Sequence, residues 1–178
     1  MRPLVIILLL ILFSISFVQS QPQKNNSQEK MKSLNFLAGE WQGEGWISFG
    51  PNQTHQFNET EKIQYKLDGS ILMIEGKGID KNSSPELQKI IYNAFAIINY
   101  DNQSNKYLIR AYKSNGQFVD ADVEVGENSL VWGFEISQGK VKYIIKINEK
   151  GQWYEVGEFS RDGESWFKNF EMTLTKKE

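Results

Sequence analysis

From about residue 40 to the C-terminus, apolar and polar side chains alternate with a period of two, in short runs separated by turn residues. The clearest runs are Val119, Ala121, Val123 and Val125 against Asp120, Asp122 and Glu124, and Val141, Tyr143, Ile145 and Ile147 against Lys142, Ile144 and Lys146. Leu130, Trp132, Phe134 and Ile136 form another. A period of two places successive side chains on opposite faces of a strand, so each run predicts a strand with one face on a core. Strands are expected at residues 40–49, 57–67, 70–77, 90–100, 106–113, 118–125, 130–136, 141–147, 152–160 and 165–175. Between them stand Gly50-Pro51-Asn52, Asp68-Gly69, Asn115-Gly116, Gln138-Gly139, Glu149-Lys150-Gly151 and Arg161-Asp162-Gly163. Asp-Gly and Asn-Gly favour the type I′ turns of hairpins. Ten strands joined hairpin by hairpin predict an all-β, antiparallel up-and-down barrel, because closure removes the exposed edges. A barrel of about eight to ten strands is wide enough to hold a small ligand.

The chain before the strands divides in three. Arg2, the apolar run 4–13 continued to Phe17, and Val18-Gln19-Ser20 have the order of a signal peptide cleaved before Gln21. Secretion or export to a periplasm is the expectation, with no membrane span left after cleavage, since no later segment is apolar enough. Residues 21–32 are polar and read as a flexible leader. Met31, Leu34, Phe36 and Leu37 fall at roughly helical spacing and end at Gly39, which predicts a short helical plug over residues 31–38. A single barrel domain is expected over residues 33–178.

Composition narrows the chemistry. A net charge of −2 and the lack of a basic stripe disfavour nucleic acid as a partner. The absence of cysteine excludes disulfides, thiol catalysis and thiolate metal sites. The one histidine, His55, stands in a polar stretch between Pro51 and Phe57, so no Ser-His-Asp arrangement or zinc-ligand spacing is available. Asp120, Asp122 and Glu124 lie on one strand face and could grip a hard cation. The apolar opposite row makes them instead the solvated face of a half-buried strand, and no metal site is expected. Trp41, Trp132, Trp153 and Trp166 read as core or barrel-end packing.

Candidate ligand contacts are polar residues that share a row with apolar ones: Tyr65, Tyr92, Arg110, Tyr112, Tyr143 and Glu155. If those rows face inward, the lumen combines aromatic walls with a few polar groups that fix orientation. Arg110 with nearby tyrosines would pair with a ligand carboxylate. The row of Tyr107, Ile109 and Ala111 is equally apolar, so either side of the Arg110 strand can face inward. Glu155 can equally be a buried partner for Arg110 or Lys168.

Gly39-Glu40-Trp41 resembles the Gly-x-Trp opening of lipocalins and other calycins. The fuller stretch from Phe36-Leu37-Ala38 through Gly43-Glu44-Gly45 is more similar to nitrobindin-type barrels and to a related bacterial secreted family. Leu67-Asp68-Gly69-Ser70, Asn99-Tyr100-Asp101, Arg161-Asp162-Gly163 with Trp166, and Phe170-Glu171-Met172-Thr173-Leu174 extend the resemblance along the chain. It implies a ten-stranded calycin-like barrel with an internal pocket. Nitrobindin-type barrels hold haem through a histidine near the C-terminal end, and residues 152–174 contain none, so haem is not carried over. No cofactor is expected. The leading expectation is a barrel that binds a small hydrophobic or amphipathic ligand without covalent chemistry. A cavity enzyme using tyrosine and glutamate as acid and base is the alternative, and a structural or partner-binding module with a filled core is a third.

Overall fold

The computed structural model describes residues 26–50 and 52–178. The signal segment and its cleavage point lie outside the described residues. A helix α1 (Asn26–Met31) and a 3-10 turn (Lys32–Leu34) precede ten strands. These are β1 (Gly39–Ser48), β2 (Thr54–Lys66), β3 (Ile71–Asp80), β4 (Ile90–Asp101), β5 (Lys106–Tyr112), β6 (Phe118–Gly126), β7 (Ser129–Ile136), β8 (Gly139–Ile147), β9 (Trp153–Ser160) and β10 (Phe167–Lys176). Each strand pairs antiparallel with its sequence neighbour, and β1 pairs with β10 to close the barrel. The expected all-β up-and-down barrel with a short N-terminal helix is therefore the observed fold. The closing seam runs from Trp41 opposite Lys176 to Ile47 opposite Phe170.

One end of the barrel is filled. Met31, Leu34 and Leu37 are fully buried against Trp41, Ile63, Leu72, Ile98, Leu130, Trp153 and Leu174. Each such apolar side chain contributes about 1.5–3 kcal/mol when withdrawn from water. Trp41 is fixed twice: its indole Nε1 donates to the Leu37 carbonyl at 2.8 Å, and its ring meets Trp153 edge-on at 5.8 Å. Two tyrosines tie the helix down from the wall. The Tyr65 hydroxyl donates to the Met31 carbonyl at 2.7 Å, and that of Tyr107 donates to the Lys30 carbonyl at 2.8 Å. The helix thus occupies Asn26–Met31, inside the stretch expected to be a flexible leader, with Ser27 and Met31 buried.

Four expectations are corrected. On β5 the inward row is Tyr107, Ile109 and Ala111, so Arg110 and Tyr112 face outward. Arg110 instead donates to both oxygens of Asp120 on the neighbouring strand, at 2.6 and 2.7 Å, and lies over the Phe118 ring. Leu67 does not end the second strand, which stops at Lys66. Leu67, Asp68 and Gly69 have φ of 49, 54 and 89°, forming a left-handed turn that leaves Leu67 70% exposed. Trp166 precedes β10, and a register shift between Lys168 and Phe170 separates it from the inward row of Phe170, Met172 and Leu174. It packs outside the lumen under the Lys142 ammonium. His55 opens β2 rather than sitting in a loop, half-buried beside Phe49 and 3.8 Å from Asp80.

Candidate functional site: a buried carboxyl layer

The inward row of β2 is Phe57, Glu59, Glu61 and Ile63, and all four are buried. Two carboxylic acids therefore occupy core positions of a strand whose other face is polar. The neighbouring strands make room for them. Glu59 stands between Gly43 on β1 and Gly78 on β3, and Glu61 stands opposite Gly76 on β3. A Cβ at Gly76 would lie 2.4 Å from Glu61 Oε1, and one at Gly78 would lie 2.9 Å from Glu59 Oε2 and 2.7 Å from the Tyr92 ring. These glycines are thus the space into which the acids fold.

A third acid, Glu155, reaches the same layer from β9, across the seam. It is buried, and it accepts a hydrogen bond from Trp153 Nε1 at 3.1 Å. Met172 opposes Glu155, Gly45 opposes Met172, and Phe57 opposes Gly45. Across this seam Glu155 acts electrostatically on both Glu59 and Glu61.

The environment keeps these acids protonated. Burial pushes Glu59 up to about 8, reinforced by Glu155, although the Tyr92 hydroxyl and nearby backbone N–H groups favour its charged form. Burial raises Glu61 well above the usual carboxylate range, with Glu59 and Glu155 adding to the effect. Burial pushes Glu155 up to about 8 against the Trp153 hydrogen bond. Desolvation disfavours the charged form of each, and the three together disfavour it further. Burial also raises Tyr92 well above the ordinary phenol, and Tyr143 to about 12.

Satisfaction of the layer is incomplete. Both carboxyl oxygens of Glu59 and Oε2 of Glu61 are buried without a protein partner in hydrogen-bond geometry. Tyr92 and the backbone N–H groups of Thr60 and Lys77 are close enough to Glu59 to favour its charged form, but none reaches it in hydrogen-bond geometry, and the Tyr92 hydroxyl instead meets Met172 Sδ at 3.9 Å. Buried polar groups without partners are rare, because each costs about 1–3 kcal/mol.

From this layer an aromatic ladder leads toward the end opposite the plug. Tyr92 meets Phe57 edge-on at 5.2 Å and Phe170 at 6.2 Å. Phe170 meets Tyr143 at 6.0 Å, Tyr143 stacks on Trp132 at 4.9 Å, and Trp132 stacks on Phe134 at 5.7 Å. Tyr92, Trp132, Phe134 and Tyr143 remain partly solvent-accessible, although their strand rows point inward. Gly157 allows the crowding, since a Cβ there would lie 2.7 Å from Phe170 and 3.0 Å from Tyr143.

The residues singled out from sequence therefore separate. Tyr92, Tyr143 and Glu155 meet in this interior. Tyr65 also faces inward, at the plug end, where its hydroxyl holds the helix. Arg110 and Tyr112 line an open cleft on the outer surface with Asp120 and Asp122. Glu59 and Glu61 were missed. The signal available was their shared row with Phe57, Ile63 and Tyr65.

The fold has a solved counterpart. The crystal structure of Rv2717c from M. tuberculosis superposes with a TM-score of 0.61 at 8% identity, covering 83% of this chain and 97% of that one. At that identity the likeness is one of fold. No protein-family model matches the chain, and no curated protein matches it. Among the described residues, no group of three or more histidine, aspartate or glutamate side chains is arranged to hold a metal ion.

Proposed function

We propose that this chain is a secreted barrel that takes a small amphipathic ligand through the end opposite the plug. The carrying observation is the aromatic ladder from Phe134 to Tyr92, which ends at buried carboxyls lacking protein partners. Apolar walls that converge on a few polar groups are the general composition of small-molecule sites. The nitrobindin-type resemblance of the Phe36–Gly45 motif belongs to this reading, without haem as ligand. Of the residues singled out from sequence, Tyr92, Tyr143 and Glu155 are kept as ligand contacts.

Native mass spectrometry of the protein purified from its own host tests the proposal, with Trp132→Ala as the comparison. A co-purifying small molecule, lost or reduced in the variant, is the expected result. Ligand-free protein that also fails to quench its tryptophan fluorescence with any amphipathic probe would end it. The same sample, sequenced from its N-terminus, is expected to begin at Gln21. Titration with haem is expected to give no Soret band.

One observation favours a second reading. Glu59 is pushed up to about 8 beside Tyr92, which suits a general acid or base working near neutral pH. For such an enzyme, Glu59→Gln would abolish turnover of the co-purifying molecule while leaving it bound.

A further inference from the structure

We propose that the ligand is an organic cation, a primary amine on an apolar or aromatic body, whose ammonium group is received by Glu59 and Glu61. This rests on the lumen-binding reading above and names the ligand's polar group.

Three observations carry it. First, the orphaned acceptors have a count and a place. Glu59 Oε1, Glu59 Oε2 and Glu61 Oε2 are buried without protein partners, on residues only 1% and 7% exposed. A primary ammonium has three N–H donors and no acceptor, so it can bond to a Glu59 carboxylate and to an accepting oxygen of Glu61 at once.

Second, among the described residues nothing in the layer offers a countercharge. Its titratable groups are Glu59 and Glu61 from β2, Glu155 from β9, Tyr92 from β4 and Tyr143 from β8. The facing positions are Gly43 and Gly45 on β1, Gly76 and Gly78 on β3, and Phe170 and Met172 on β10. Among the described residues the lumen thus presents acids and no base, and Arg110, which would have suited a carboxylate ligand, is outside. An anionic ligand would meet like charge or have to keep the acids protonated. A cation would turn a destabilising cluster into a charge-assisted hydrogen-bond site. Third, the approach is aromatic. Tyr92 and the rings of Phe57 and Phe170 adjoin the acids, and aromatic faces attract cations.

Binding is coupled to proton release. An ammonium needs at least one carboxylate, and near neutral pH these carboxyls are mostly protonated. Uptake of the cation therefore expels a proton to solvent. Affinity rises with pH, by up to tenfold per pH unit, and levels off near pH 8, where Glu59 and Glu155 titrate.

The test compares three probes of similar shape: 3-phenylpropylammonium, 3-phenylpropan-1-ol and 3-phenylpropionate. Binding to the protein is measured by calorimetry in two buffers of different ionisation enthalpy, from pH 6 to 8.5. The expected result is at least tenfold tighter binding of the ammonium than of the alcohol at pH 7.5. About one proton should be released per ligand, and the carboxylate should not bind. Glu59→Gln should weaken the ammonium at least tenfold and leave the alcohol unchanged. Its melting curve shows that the variant is folded. Binding of the alcohol as tight as the ammonium, or an ammonium affinity indifferent to pH and to Glu59→Gln, would overturn this inference and leave lumen binding standing. Failure of all three probes would overturn it too. Combined with ligand-free protein from the host, that failure would remove the lumen reading as well.

Discussion

Replacing Glu59 by glutamine should stabilise the barrel, and more so as pH rises. The carboxyl titrates at about 8 in the folded protein against 4.5 in its unperturbed state. Between those values the folded protein holds a proton that the unfolded chain has lost. Raising the pH through that window therefore favours unfolding, at about 1.36 kcal/mol per pH unit. Glu59 alone then costs the native state about 3 kcal/mol at pH 7 and about 5 kcal/mol above pH 8. Water at the partly accessible aromatic ladder would screen part of this, so a gain of about 2–4 kcal/mol is expected for Glu59→Gln at pH 8.5. At pH 5, where the acid is protonated and resembles the amide, the two proteins should agree within about 1 kcal/mol. For a domain of this size each kcal/mol moves the melting temperature by about 2–4 °C. Urea denaturation at pH 5, 7 and 8.5, with melting curves alongside, reads the effect. A wild-type stability that is flat or rising from pH 5 to 8.5 would refute the reasoning. So would a variant shifted equally at both ends.

Three further outcomes are expected. Gly76→Ala would place a methyl on the Glu61 carboxyl, so it should lower stability by about 1–3 kcal/mol in urea titrations, and Glu61→Ala should restore most of that loss. Trp41→Phe removes the hydrogen bond to the Leu37 carbonyl and the tryptophan pair, for a loss of about 2–3 kcal/mol, and hydrogen exchange should show freer opening of α1. Arg110→Ala removes outer-face contacts with Asp120 and the Phe118 ring, so the urea midpoint should fall only slightly and 3-phenylpropylammonium affinity should stay unchanged; a loss of binding would put that residue back in the lumen.

The strands were legible because their alternation is local. Val119 to Val125 and Val141 to Ile147 declare an inner and an outer face without reference to any other part of the chain. The Arg110 strand was not legible, since both of its rows are apolar and only pairing with β4 and β6 decides between them. The carboxyl layer was hidden for a different reason. Asn58 to Lys62 reads as polar on both faces, so Glu59 and Glu61 look like solvated residues. Their burial depends on Gly76 and Gly78 in the next strand. A glycine in a strand is read as a bend, and its use as a receptacle for a distant side chain becomes visible only with the register. The helix over Asn26–Met31 was obscured similarly, because tyrosines from β2 and β5 hold a segment whose own composition is polar.

The seam has a consequence for how the protein comes into being. Glu59 and Glu61 lie on β2, Glu155 lies on β9, and the strands between them are the first and the last, β1 and β10. During synthesis the second strand emerges early and must wait for residues near the C-terminus before its acids meet their counterpart. Until Trp41 finds Lys176, the barrel is an open sheet and the acids remain hydrated. The step that joins the two ends of the chain is thus also the step that dehydrates the acids, so a chain truncated within β10 would lack both its closure and its interior chemistry.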